Sequence, residues 1–225
     1  MNSRSGAPRL VVFDCDGTLV DSQATIHASM AQAWSELGQE PPSPERVRAI
    51  IGLSLEDAML RLSGDDALAA PLADAYRRAF KQTVARPQHE DPLYPGVVEM
   101  LDALHRAEVQ LAIATGKGTQ GLRATLGQHG LLDRFVSLQT ADRARGKPHP
   151  EMLHNAMRDA EVVPERTLMV GDTVHDMQMA RNAGVAAIGV SWGYHAAEDL
   201  REAGAHLVLD NFAALAAAVH RLTPP

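Results

Sequence analysis

The sequence predicts an α/β protein, a doubly wound parallel sheet with helices on both faces and an all-helical segment inserted after the first strand. Three observations carry this expectation. Short apolar, β-branched runs recur at residues 10–13, 109–114, 135–138, 167–170, 186–190 and 207–209, each the length of a buried strand. From about residue 96 onward those runs alternate with amphipathic helical patterns, the signature of βα units. Between the first and second runs, residues 22 to about 88 carry helix signals and no strand signal. A chain of 225 residues is long enough for one full core plus a smaller insertion.

Taken in order, Leu10-Val11-Val12-Phe13 reads as a strand that ends in Asp14-Cys15-Asp16-Gly17-Thr18. In the insertion, Ile26, Met30, Ala33, Trp34 and Leu37 lie at helical spacing, and Gly38 ends the pattern. Pro41, Pro42 and Pro44 then break the chain, with Ser43 placed as an N-cap and Pro44 at the first helical position. Residues 47–62 read as two short helices joined at Ile51-Gly52-Leu53, the second capped by Ser54 with Asp57 three residues on. Leu72, Tyr76, Phe80 and Val84 define a long helix, and a proline-bounded connection, 87–95, follows it. Thereafter helices at 96–107, 119–129, 150–160 and 175–183 each lead into a strand. One more helix precedes the strand at 207–209, and Phe212, Leu215, Val219 and Leu222 make a closing helix.

Bulk properties narrow the function classes. The formal charge is −7 and no basic stripe is present, which argues against nucleic acid as a partner. A small anionic substrate remains compatible, because a site can be locally cationic inside an acidic protein. The single cysteine, Cys15, allows no intrachain disulfide and suits a reducing compartment. No apolar run approaches the roughly 18 residues that span a bilayer. The apolar patch at 10–13 is too short for a secretory signal core, so a cytoplasmic protein without membrane partners is expected.

Chemistry gathers at the strand ends, where open parallel sheets bind ligands. Asp14 and Asp16 leave the first strand on one side of it, an arrangement that is costly unless a cation is shared; Asp-Gly turn chemistry is the alternative. Asp172 and Asp176 follow another apolar strand, four residues apart on one helix face. They read as an N-cap and a helix-start charge, or as two more metal ligands. If those strands are adjacent, the four acids form a hard-cation site suited to Mg²⁺. Thr115-Gly116 at the end of a third strand offers a hydroxyl and exposed amides for a phosphoryl oxygen, or simply a helix cap. Lys147, stiffened by Pro148 and Pro150, is presented to such a site or is solvated.

Gly116-Lys117-Gly118-Thr119-Gln120-Gly121 also fits a dinucleotide-binding pattern. The acid that pattern requires at the end of the next strand is missing, because the strand runs out at Leu138-Gln139. A thiol-phosphatase role for Cys15 would need an arginine six residues on, where Asp21 stands, so Cys15 is read as apolar filler. No zinc-type histidine pattern occurs, although His27, His175 and His195 are candidates to line a cleft.

Together, Asp14-Cys15-Asp16-Gly17-Thr18, Thr115, Lys147-Pro148 and Gly171-Asp172-Thr173-x-x-Asp176 resemble the four ordered motifs of the haloacid dehalogenase-like superfamily. Asp21-Ser22, Gly52 and Trp192-Gly193-Tyr194 resemble its phosphoglycolate phosphatase-like branch. Cys15 and Gly116 depart from residues commoner at those positions. The resemblance implies a Rossmann-like core, residues 1–20 and 91–225, and a helical C1 cap, residues 21–90. It implies a Mg²⁺-dependent phosphoric monoester hydrolase acting on a small phosphorylated metabolite, phosphoglycolate-like or a sugar phosphate. A phosphomutase is the alternative, with a nicotinamide-dependent oxidoreductase behind it.

The resemblance also implies roles. Asp14 is the nucleophile that forms an aspartyl-phosphate, and Asp16 is the general acid and base. Thr115, Gly116 and Lys147 hold the phosphoryl oxygens. Mg²⁺ is held by Asp14, Asp172, the Asp16 carbonyl and Asp176, the last as ligand or as support for one. Among these residues Lys147 is the one cation facing four carboxylates and a dianionic ester. His27, Gly52, Ser54 and Arg77 are the cap candidates for choosing the leaving group.

Overall fold

The computed structural model describes residues 9–86 and 89–223. Residues 1–8 and 224–225, assigned above to the core, and Pro87 and Gln88 of the expected connection lie outside the described residues.

Six parallel strands form one sheet in the order β3-β2-β1-β4-β5-β6: β1 Arg9–Phe13, β2 Val109–Thr115, β3 Ser137–Thr140, β4 Thr167–Gly171, β5 Ala186–Val190 and β6 Leu207–Leu209. β1 pairs with β2 on one side and β4 on the other, so the strand order reverses across β1 and β4. That reversal opens a crevice at their carboxyl ends, and it makes adjacent the two strands whose tips carry Asp14 and Asp172.

The helices after the insertion are α5 Val97–Arg106, α6 Thr119–Gln128, α7 Glu151–Ala160, α8 Val174–Ala183, α9 Ala197–Ala203 and α10 Leu215–Leu222. Because strand side chains alternate, β1 feeds both faces of the sheet. Leu10 and Val12 pack with Met152 and Leu153 of α7 and Met177 of α8. Val11 and Phe13 pack with Leu101 and Leu104 of α5 and Leu215 of α10. Each such side chain contributes about 1.5–3 kcal/mol on burial, which explains why β1 is a continuous apolar run rather than an alternating one.

The insertion contains α1 Gln23–Glu36, α2 Pro44–Arg48, α3 Leu55–Ser63 and α4 Asp66–Val84. These helices bury an apolar cluster of their own, with Ile26, Met30 and Trp34 of α1 against Leu72 and Ala75 of α4 and Met59 and Leu62 of α3. The expected punctuation is present. Gly38 adopts φ +67° beyond α1, Ser43 caps α2 with Pro44 as its first residue, and Ser54 Oγ accepts from the Asp57 amide at 3.2 Å. Among the described residues no helix is long and apolar enough to cross a membrane.

One strand differs from expectation. The run at 135–138 was read as strand, but pairing begins at Ser137 and continues to Thr140. Phe135 reaches the core from a preceding 3₁₀ turn, Leu132–Arg134, while Val136 is exposed. An apolar side chain packed from a turn looks the same in sequence as one packed from a strand.

Candidate active site

The first loop is a tight turn clamped to the sheet. The Asp14 amide donates to the Val170 carbonyl at 2.9 Å, and Leu19 and Val20 donate back to the Cys15 carbonyl. Gly17, at φ +83°, adopts a conformation that other residues rarely take. A Cβ there would also collide with the Asp172 carboxylate and the Tyr194 ring, so the turn can approach Asp172 only as glycine.

Asp14, Asp172 and Asp176 are buried and offer carboxylate oxygens that lie within 4.8 Å of one another. Asp172 is fixed by Thr18 Oγ1, which donates to Oδ1 at 2.7 Å, and by the Tyr194 amide, which donates to Oδ2 at 2.9 Å. Thr173, not Asp172, is the N-cap of α8, and Asp176 completes that capping box by accepting from the Thr173 amide at 3.0 Å. The N-cap alternative for Asp172 is thereby corrected, and its carboxylate stays with the cluster.

Lys147 enters this cluster with a side chain that is 0% exposed. Its Nζ stands 2.7 Å from Asp14 and 2.7 Å from Asp176, so the solvated reading of this lysine is overturned. Burial opposes its charge, yet Asp14 and Asp176 hold the ammonium protonated above its usual range. One lysine does not neutralise three carboxylates. Burial, with repulsion from Asp176 and Asp16, pushes Asp14 up to about 7 against the pull of Lys147. Burial and the charges of Asp14 and Asp176 raise Asp172 well above the carboxylate range. Three converging hard oxygen donors, buried together, form a set fitted to a divalent cation, whose charge would bring Asp14 and Asp172 back to their ionised forms.

Asp16 points elsewhere. Its carboxylate does not join the cluster; it accepts from Ser22 Oγ at 2.5 Å and forms an ion pair with Lys117 Nζ at 3.0 Å. The expectation that Asp14 and Asp16 require one shared cation is corrected accordingly, since Lys117 is the counter-charge of Asp16. Lys117 also lies over the Phe80 ring of α4, 4.7 Å from its centroid. Sequence reasoning passed over Lys117 as a variable position in the glycine pattern. Its place two residues after Thr115, in the same strand-end loop, is the signal that identifies it.

Thr115 ends β2, and its hydroxyl accepts from the Lys117 amide at 3.2 Å. The N-cap of α6 is Gly118, so Thr115 is not the helix cap. A Cβ on Gly116 would strike the Leu53 carbonyl, which explains glycine at this position. The acid read as missing from the glycine pattern is Asp142, because β3 runs on to Thr140. Asp142 is already committed to the Thr119 amide at 3.1 Å and the Thr140 hydroxyl at 2.5 Å. With that amide taken and Gly116 packed under Leu53, the pattern serves the turn.

Between the strand tips and the inserted helices lies a cavity of about 670 Å³, with Asp14, Asp16, Thr115 and Lys117 at its floor. Gly52 and Arg77 line it. Gly52, at φ +95°, lets its loop approach Thr173, and Arg77 pairs with Glu56 and with Asp74 at 2.9 Å. Ser54 does not line it and instead caps α3. His27, His175 and His195 are likewise outside the lining. His175 and His195 meet edge to face, 5.7 Å between centroids, and burial lowers the pKa of both, that of His175 to about 4. Cys15 is fully buried in the core cluster, as its reading as filler requires.

A family model described as "Haloacid dehalogenase-like hydrolase" matches residues 11–190. The chain is 39% identical to "Probable phosphatase IndB" of Dickeya dadantii, over 95% of this chain and 94% of that protein. It is 33% identical to a phosphoglycolate phosphatase of Vibrio parahaemolyticus, over 92% and 94% respectively. The crystal structure of a hydrolase from Pseudomonas syringae superposes with a TM-score of 0.84 at 25% identity, covering 96% of this chain and 99% of that one.

Proposed function

Because the chain belongs to the haloacid dehalogenase-like hydrolases, we propose that it is a Mg²⁺-dependent phosphatase that hydrolyses a small phosphorylated metabolite through an aspartyl-phosphate on Asp14. In this reading residues 1–20 and 91–225 form the core and residues 21–90 a cap over the site. The observation that carries it is the junction of two strand tips, where Asp14, Asp172 and Asp176 converge within 4.8 Å and Lys147 lies 2.7 Å from Asp14.

Asp14, Asp172 and Asp176 would hold the cation, joined by the Asp16 backbone carbonyl. Bound there, Mg²⁺ supplies charge that keeps the carboxylates ionised and offsets the anionic ester. Asp14 attacks phosphorus in line, and its P–O bond forms as the bond to the alcohol breaks. Asp16 has to take up a proton from solvent as the anionic ester binds; it gives that proton to the departing alcohol oxygen and regains one from the water that cleaves the aspartyl-phosphate. Thr115, the Gly116 backbone and Lys147 hold the phosphoryl oxygens, and Ser22 and Lys117 keep the Asp16 carboxylate aimed at the cavity.

The test is a screen of phosphate monoesters with Mg²⁺ and with chelator, on the wild type and on Asp14→Asn. Hydrolysis that needs the metal and vanishes in the variant is expected, with a mass increment of one phosphoryl group on Asp14 after acid quench. A folded Asp14→Asn variant with full activity would falsify the nucleophile assignment.

A further inference from the structure

We propose that the alcohol part of the substrate is bulky, uncharged and mainly apolar, at least a six-membered ring in size, rather than a two-carbon acid or a hydroxyl-rich sugar. This deepens the phosphatase reading and rests on it.

The cavity above Asp14 and Asp16 measures about 670 Å³, within the ~300–1,000 Å³ of sites that enclose ligands well beyond two carbons. Above its charged floor the walls change character. Ile26 and Met30 of α1 and Ile50 of the turn after α2 face it, together with Tyr76, Phe80 and Val84 of α4. The last three recur every four residues and so form one stripe along the helix. The Tyr76 and Phe80 rings stack with centroids 6.1 Å apart and planes 22° from parallel, a rigid apolar surface flanking the reacting group. All three stripe residues line the cavity and are half-buried: Tyr76 packs in part against the apolar cluster of the insertion and Phe80 carries Lys117 on one face, and what they leave uncovered borders the cavity.

The cations around the cavity are arranged badly for a substrate carboxylate. Lys117 is held by Asp16 and covered by Phe80. Arg77 pairs with Glu56 and Asp74, and Arg78 pairs with Glu36 at 2.5 Å. Both arginines, and Lys81 beside them, are exposed at the rim, where an ion pair contributes little. A carboxylate carried deeper would lose water against aliphatic side chains, and sugar hydroxyls would have to compete for polar lining groups already paired within the protein, Asp142 with Thr119 and Thr140, Glu56 with Arg77 and Asp16 with Lys117. Apolar surface placed on the same walls gains from leaving water.

The experiment measures kcat/KM at saturating Mg²⁺ for benzyl phosphate, ethyl phosphate, 2-phosphoglycolate and glucose 6-phosphate. It uses the wild type, Phe80→Ala and Phe80→Leu. Benzyl phosphate is expected to lead the other three by about tenfold or more, and Phe80→Ala to cut the benzyl-to-ethyl ratio about tenfold while Phe80→Leu keeps most of it. Equal or better turnover of 2-phosphoglycolate or glucose 6-phosphate overturns the proposal, as does an unchanged ratio in Phe80→Ala. Failure of the phosphatase reading looks different, since none of the four esters is then hydrolysed. In that event, titration with benzylphosphonate and phosphonoacetate reads the same preference without turnover, and tighter phosphonoacetate binding overturns it.

Discussion

Lys117 Nζ lies 3.0 Å from Asp16 Oδ1, and both side chains are largely buried where the inserted helices meet the sheet. The pair gives Asp16 a counter-charge separate from Lys147, so the two acids of the first loop are held by different lysines. Replacing Lys117 by Met removes that counter-charge and leaves Ser22, among the described residues, as the side chain bonded to Asp16. Activity is expected to fall by about 10²-fold, mainly in kcat, with partial recovery in Lys117→Arg. Steady-state kinetics of the two variants checks this, and unaltered kcat in Lys117→Met would remove Lys117 from the site.

Lys147→Met tests the other lysine. It leaves Asp14 and Asp176 buried without their shared cation, and breaking a buried pair by removing one partner costs about 3–5 kcal/mol. Urea unfolding without metal should show a loss of this size, and Mg²⁺ should recover part of it by replacing the missing charge. A loss that Mg²⁺ does not touch counts against a cation at this cluster.

Mg²⁺ affinity should depend on pH with a definite sign. Metal-free Asp14 is raised from 3.8 to about 7, so below that pH an arriving cation has to displace a proton. Asp172 is raised as well, so apparent affinity is expected to weaken by at least about tenfold per pH unit on going down from pH ~7. The same shift has a stability consequence for the metal-free chain. Folding gains from Asp14 below its unfolded pKa, and that gain disappears as pH rises toward the folded value, because the folded chain binds the proton more tightly. Calorimetric Mg²⁺ titrations at several pH values decide the matter, and a flat affinity profile contradicts it.

Gly116→Ala probes the seat of the inserted helices on the sheet. The added Cβ meets the Leu53 carbonyl and forces the loop at Gly52-Leu53 away from the strand tip. Overpacking of this kind costs about 1–3 kcal/mol. KM should rise more than kcat falls, since the displaced loop belongs to the cavity wall and not to the acids. Thermal unfolding and steady-state kinetics measure the two effects separately.

Much of this architecture is legible in the sequence because it depends on local pattern. The apolar runs of β1, β2, β4 and β5 and the helical stripes between them are properties of neighbouring residues. A buried strand and an amphipathic helix each announce themselves within about ten residues. The acids at 14, 16 and 172 stand directly after such runs and Asp176 in the first turn of the helix that follows, so their position near strand ends followed from counting. β3 was misplaced by two residues because Phe135 packs from a turn, and the displacement hid Asp142 as the partner of Thr119.

By itself the sequence determined the order of strands and helices along the chain and that Asp14, Asp16, Thr115 and Asp172 stand at strand ends. Tertiary structure alone decided which of those side chains face one another. Asp172 is bonded to Thr18 across 154 positions, Lys147 bridges Asp14 and Asp176, and Lys117 meets Asp16 beneath a ring from the inserted helices. Burial strengthens each of these charge interactions and lifts the Asp14 pKa, and the burial of these charged groups depends on the packing of segments far apart in the chain.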